Sequence, residues 1–66
     1  MKNTLKIQRA IHSLTQEELA NKVGVSRQTI NSIEKGKYIP STSLALKISL
    51  VFCQSVNELF QLEEND

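Results

Sequence analysis

The fold is decided by the stretch from Thr15 to Gly36, TQEELANKVGVSRQTINSIEKG. Thr15 stands three residues before Glu18 and just ahead of an apolar run, the pattern of a capping box. In that arrangement the hydroxyl accepts from the Glu18 backbone N–H, and the Glu18 carboxylate reaches back to the Thr15 N–H. Leu19, Ala20 and Val23 then recur at helical spacing and share one face. Gly24 ends this second helix of the chain, because glycine tolerates the left-handed backbone of a sharp turn. Ser26 caps a third helix that runs to about Lys35, and Gly36 closes it.

Only "GVS" connects the two helices. Helices joined this tightly cannot fold back antiparallel and cross steeply instead, which is the helix-turn-helix geometry that lays its second member in a major groove. Ala20, four residues before Gly24, is small enough for close helix approach, and Val25 is placed as an apolar plug. Outward from this unit, Leu5 to His12 form a first helix. "KYIPST" is a loop, since Pro40 bars helix through Ile39. Ser41 or Thr42 opens a fourth helix to about Phe52, and Ser55 with Glu58 repeats the capping box for a fifth. Residues 1 to 4 and 60 to 63 are placed to pair as two short terminal strands. The expected fold is all-α, five short helices with the second and third as the helix-turn-helix, plus that terminal β-ribbon. Residues 1–66 are expected to act as a single DNA-binding domain.

A chain of 66 residues buries only roughly 60% of its unfolded surface on folding. Cys53 is the sole cysteine and His12 the sole histidine, so neither a disulfide nor a structural metal is expected. Oligomerisation is the remaining source of extra stability. No signal peptide or membrane-spanning run is visible, which points to a soluble cytoplasmic protein with no membrane partner. The formal net charge is +1, yet it is unevenly spread. Residues 1 to 57 hold all eight Lys and Arg against Glu17, Glu18 and Glu34, which leaves +5. Residues 58 to 66 carry Glu58, Glu63, Glu64 and Asp66, which is −4. A basic body with an acidic tail is compatible with one face meeting phosphates.

The third helix divides its labour. Ile30 and Ile33 share one face and are expected in the core. The opposite face collects Gln28, Asn31 and Ser32, with Arg27 at its edge. Gln and Asn make bidentate contacts to adenine and Arg to guanine, each worth ~1–3 kcal/mol of discrimination. Ser26 and Thr29, at the helix N-terminus, suit phosphate, and Lys35 and Lys37 extend the positive strip. A merely solvated helix also carries polar residues opposite its apolar face. The lack of any acid on the outer face before Glu34 favours the DNA reading.

The run LTQEELANKVGVSRQTINSIEKGKYIPS, Leu14 to Ser41, resembles the Xre or lambda-repressor-like helix-turn-helix family. "LALKIS" and "VNELF" extend the likeness to Phe60. Within that family the chain looks most like the very short homodimeric repressors of the cytolysin-operon type, which pair their terminal strands. The resemblance implies that Gln16 grips a phosphate and that Arg27, Gln28 and Ser32 read bases, with Asn31 nearby. It implies backbone contacts for Thr29, Lys35, Lys37 and Tyr38, and a structural role for Glu34. The sequence departs from the family pattern at Gln8, where a core Leu or Ile is usual, and at Ile7 and Ile11, which are usually polar. It also departs at Cys53, where Gly or Asn is common, and at Ile39, which replaces an Asn.

The fourth helix carries two apolar stripes, one of Leu44, Ile48 and Val51 and one of Leu46, Leu50 and Cys53. Either the helix is buried on most sides, or part of this surface forms a two-fold interface with Val56, Phe60 and Leu62; the second reading is favoured. Cys53 is expected to be a buried or interface residue rather than a redox switch. His12 is expected on a solvated helix end. Taken together, the sequence predicts a sequence-specific transcriptional regulator, a repressor acting as a homodimer on double-stranded DNA, with lysines and Arg9 supplying salt-dependent affinity. The alternative is a protein-interaction module, antitoxin-like or a co-regulator subunit, with Ile7 and Ile11 as its surface. No catalytic constellation is visible, and no cofactor or small-molecule ligand is expected.

Overall fold

The computed structural model describes residues 1–66, and its elements follow the caps written in the sequence. In chain order they are β1 (Lys2–Asn3), α1 (Leu5–Ile11), α2 (Gln16–Val23), α3 (Arg27–Glu34), α4 (Thr42–Phe52), α5 (Val56–Leu59) and β2 (Phe60–Gln61). Both capping boxes form, Thr15 with Glu18 and Ser55 with Glu58. The Thr15 backbone N–H donates to the Glu18 carboxylate at 2.9 Å, and that bond holds the Glu18 carboxyl below its ordinary pKa. Ser26 and Ser41 cap α3 and α4 in the same way, each accepting from the N–H three residues on. Helices of eight residues or fewer are marginal alone, so all rely on a shared core, and α2, α3 and α5 on their caps as well.

That core is made of Leu5, Leu19, Ala20, Val23, Ile30, Ile33, Leu44, Ala45, Ile48, Phe52, Leu59 and Phe60. Val25 packs against it from the turn, as the plug reading expects. Gly24 has φ +77°, and a Cβ added there would meet nothing within 4 Å. The glycine is therefore required by the backbone conformation rather than by space. The two terminal strands pair antiparallel, Lys2 opposite Gln61 and Asn3 opposite Phe60. No helix is long and apolar enough to cross a membrane.

One expectation is overturned and three are refined. Phe60 is not available to a partner: it is only 7% exposed and belongs to the core. The β1–β2 ribbon turns it inward while the neighbouring Gln61 faces out, as strand alternation requires. In α4 the inward line is Leu44, Ala45, Ile48 and Phe52, with Val51 only partly buried, because a spacing of four places those side chains on one side. Of the buried and interface readings of Cys53, the structure removes the first: it is exposed and serves as the C-cap of α4, left-handed at φ 53°. A non-glycine residue there carries a conformational cost of roughly 1 kcal/mol. Cys53→Gly is accordingly expected to raise stability by about 0.5–1 kcal/mol in urea melts, after glycine's own entropy loss. Lastly, α1 ends at Ile11, with His12 as its C-cap. The His12 ring is exposed yet lies 5.2 Å from that of Phe52, so it lids the aromatic end of the core.

Candidate nucleic-acid interface

The α2–turn–α3 unit is locked from within by one polar cluster. Arg9 of α1 makes a two-pronged contact with Glu34, Nε to Oε2 at 2.6 Å and Nη2 to Oε1 at 3.0 Å, while Nη1 donates to the Leu14 carbonyl at 3.1 Å. The side chains of Arg9 and Glu34 are only 15% and 8% exposed. The hydrogen bond to Glu34 raises the Arg9 pKa still further, so the guanidinium stays charged under all ordinary conditions. Arg9 is thus corrected from a source of DNA affinity to an internal tie. Glu34, the one acid on α3, is turned inward and is spent on that tie.

Gln16 joins the same cluster. Its Nε2 donates to Glu34 Oε1 and to Asn31 Oδ1, each at 3.1 Å. The side chain expected to grip a phosphate is therefore engaged with α3. A further tie comes from the terminal ribbon, where Asn3 Nδ2 donates to the Ile33 carbonyl at 2.8 Å and satisfies the end of α3. Sequence reading missed both ties because they join residues that periodicity and capping patterns never connect.

Ile30 and Ile33 lie in the core, which turns the other side of α3 outward. Ser26, Arg27, Gln28, Lys35, Lys37 and Tyr38 are exposed; Thr29, Asn31 and Ser32 are half-buried. Ser26 Oγ accepts from the Thr29 backbone N–H at 3.2 Å and lies 3.0 Å from Thr29 Oγ1, so both hydroxyls sit together at the start of α3. Gln28, Thr29, Ser32, Lys37 and Tyr38 line one shallow depression. A second, lined by Thr15, Gln16, Glu17 and Arg27 among others, joins the N-terminal ends of α2 and α3. Of the residues singled out from sequence, the two depressions take in Gln16, Arg27, Gln28, Thr29, Ser32, Lys37 and Tyr38, while Lys35 stands at the C-terminal end of α3. The depressions present Arg, Lys, amide and hydroxyl groups, with Glu17 the acid at the margin.

Comparison with known proteins agrees with this geometry. The helix-turn-helix family model matches residues 5–59. The chain belongs to the helix-turn-helix family of transcriptional regulators. An uncharacterised HTH-type transcriptional regulator of Methanocaldococcus jannaschii is 56% identical over 66 residues, covering 100% of both chains. Among solved structures, the restriction-modification controller protein C.AhdI from Aeromonas hydrophila superposes with a TM-score of 0.76 at 30% identity, covering 85% of each chain. The SOS-response transcriptional repressor LexA from Eubacterium rectale gives 0.80 at 28% identity, covering 96% of this chain and 67% of that one. The family is one of DNA-binding transcriptional regulators, and its match runs from the start of α1 to the end of α5.

Proposed function

We propose that residues 1–66 form one DNA-binding domain of a cytoplasmic, sequence-specific repressor that acts as a homodimer on a two-fold operator. The observation that carries this reading is the outer face of α3. It offers Arg27, Gln28, Asn31 and Ser32 with no competing acid, because Glu34 is drawn inward by Arg9. In this reading Gln28 and Arg27 read base edges in the major groove, aided by Ser32 and Asn31. Ser26, Thr29, Lys35, Lys37 and Tyr38 hold phosphates, and Gln16 lies at the backbone edge. Phosphate contacts set affinity and its salt dependence, while base contacts set sequence.

The homodimer is supported by apolar surface that one chain leaves uncovered. Leu46, Leu50 and Leu62 are exposed, and Cys53 and the half-buried Val56 lie near them along the chain. Two copies joined there would present two α3 helices, and a spacing of about 34 Å would match successive major grooves on one face of the duplex. The similarity to a named repressor, LexA, favours repression over activation.

Gln28→Ala is expected to weaken binding to the selected operator by about 1–3 kcal/mol while leaving binding to unrelated duplex nearly unchanged. Titration of both DNAs by gel shift measures this; equal losses on the two would remove Gln28 as a base reader. A second reading, a protein-interaction module, rests on Ile7 and Ile11, which are exposed one turn apart on α1. The same titration separates the two, since no shift with the protein's own upstream DNA at micromolar protein and low salt would favour the module.

A further inference from the structure

The polar cluster behind α3 has a fixed direction. Glu34, gripped by Arg9 through both oxygens, can only accept hydrogen bonds. The group 3.1 Å from its Oε1 on Gln16 must therefore be the amide nitrogen, which settles which way the Gln16 amide faces. That nitrogen has two hydrogens, and the second goes to Asn31, so the Asn31 atom 3.1 Å away must be the carbonyl oxygen. Each step follows from donor and acceptor inventory alone.

The consequences reach the outer surface. Gln16 has spent both of its donors inside the protein, and its remaining polar atom is an oxygen that a phosphate would not approach. Asn31 has its oxygen turned to Gln16, and its Nδ2 donates to no group of the protein. Arg27, Asn31 and Lys35, the C-cap of α3, follow at four-residue spacing, so Asn31 stands between two exposed cations along one side of the helix. We propose that Asn31 meets DNA through its Nδ2 donor, and that Gln16 is the positioning residue that holds it in that orientation. The inference rests on the proposed DNA-binding function and departs from the phosphate-gripping role that the family resemblance implies for Gln16.

A donor so placed takes an acceptor, which on a duplex is either a phosphate oxygen or a base acceptor such as guanine O6 and N7 or thymine O4. Asn31→Asp keeps the shape and replaces the donor with an anionic acceptor. With folding confirmed by circular dichroism, Asn31→Asp is expected to lower affinity about tenfold. If Nδ2 meets a base, selection from randomised duplexes shifts one position toward cytosine, whose N4 amino group is a donor. If it meets a phosphate, Asn31→Ala weakens binding equally on every duplex and leaves the salt slope unchanged, because no charge is removed. Either result supports the proposal; wild-type affinity with the same selected sequence overturns it. For Gln16, a double-mutant cycle decides. Gln16→Met is expected to cost about fivefold in the wild-type background and less than about twofold beside Asn31→Ala. Additive losses would mean that Gln16 touches DNA itself and would overturn its positioning role. If the wild-type protein selects no sequence at all, the proposed function fails along with this inference; if it selects one and only the variants disagree, the inference alone fails.

Discussion

Arg9→Met lowers the stability of this protein by about 3–5 kcal/mol, as read from urea denaturation followed by circular dichroism. The size of the effect follows from what is left behind. Methionine keeps the apolar stem but removes the guanidinium, so the Glu34 carboxylate, 8% exposed, retains only the Gln16 amide. The Leu14 carbonyl loses its side-chain donor in the same step. A domain of this length is stable by roughly 3–10 kcal/mol, so the variant sits at the edge of unfolding at room temperature. The companion double variant Arg9→Met, Glu34→Leu recovers at least half of the loss, because no charge then remains buried without a partner. A loss below about 1 kcal/mol for Arg9→Met would show that water reaches Glu34 and that the tie is a surface pair.

The same pair explains how much of the molecule could be read from sequence. The starts of α2 to α5 were legible, because Thr15, Ser26, Ser41 and Ser55 cap by contacts three residues away and such contacts are written locally. The terminal ribbon and the buried face of α3 were legible from pattern as well. The role of Arg9 was not. Its partner lies 25 residues along the chain, and an arginine in a basic body looks the same whether it faces solvent or closes on a carboxylate. Phe60 failed for a related reason. A phenylalanine at the end of a short helix reads equally well as core or as interface until the ribbon register fixes its side. The hydrogen bonds of Gln16 to this chain's own Asn31 and Glu34 were not legible either, since they too join residues distant in sequence.

Helix α4 carries the second large effect, and two nearby residues on it should behave in opposite ways. Phe52 is 2% exposed and ends the inward line of Leu44 and Ile48. Phe52→Ala removes most of that side chain from the centre of a small core that has little freedom to collapse, and the His12 ring loses the surface on which it rests. The expected loss is about 3–5 kcal/mol. Leu50 sits two residues earlier and is 79% exposed, so its truncation touches none of this packing. Leu50→Lys should leave the melting transition almost unchanged at concentrations where the chain is monomeric. At higher concentrations the proposed dimer makes stability depend on protein concentration through mass action, and the same variant should abolish that dependence. Analytical ultracentrifugation beside thermal melts at two concentrations separates the two roles. If Leu50→Lys melts earlier at every concentration, Leu50 serves the fold of a single chain rather than its pairing. If Leu50→Lys still sediments as the wild type does, the apolar surface of α4 is not where two copies meet.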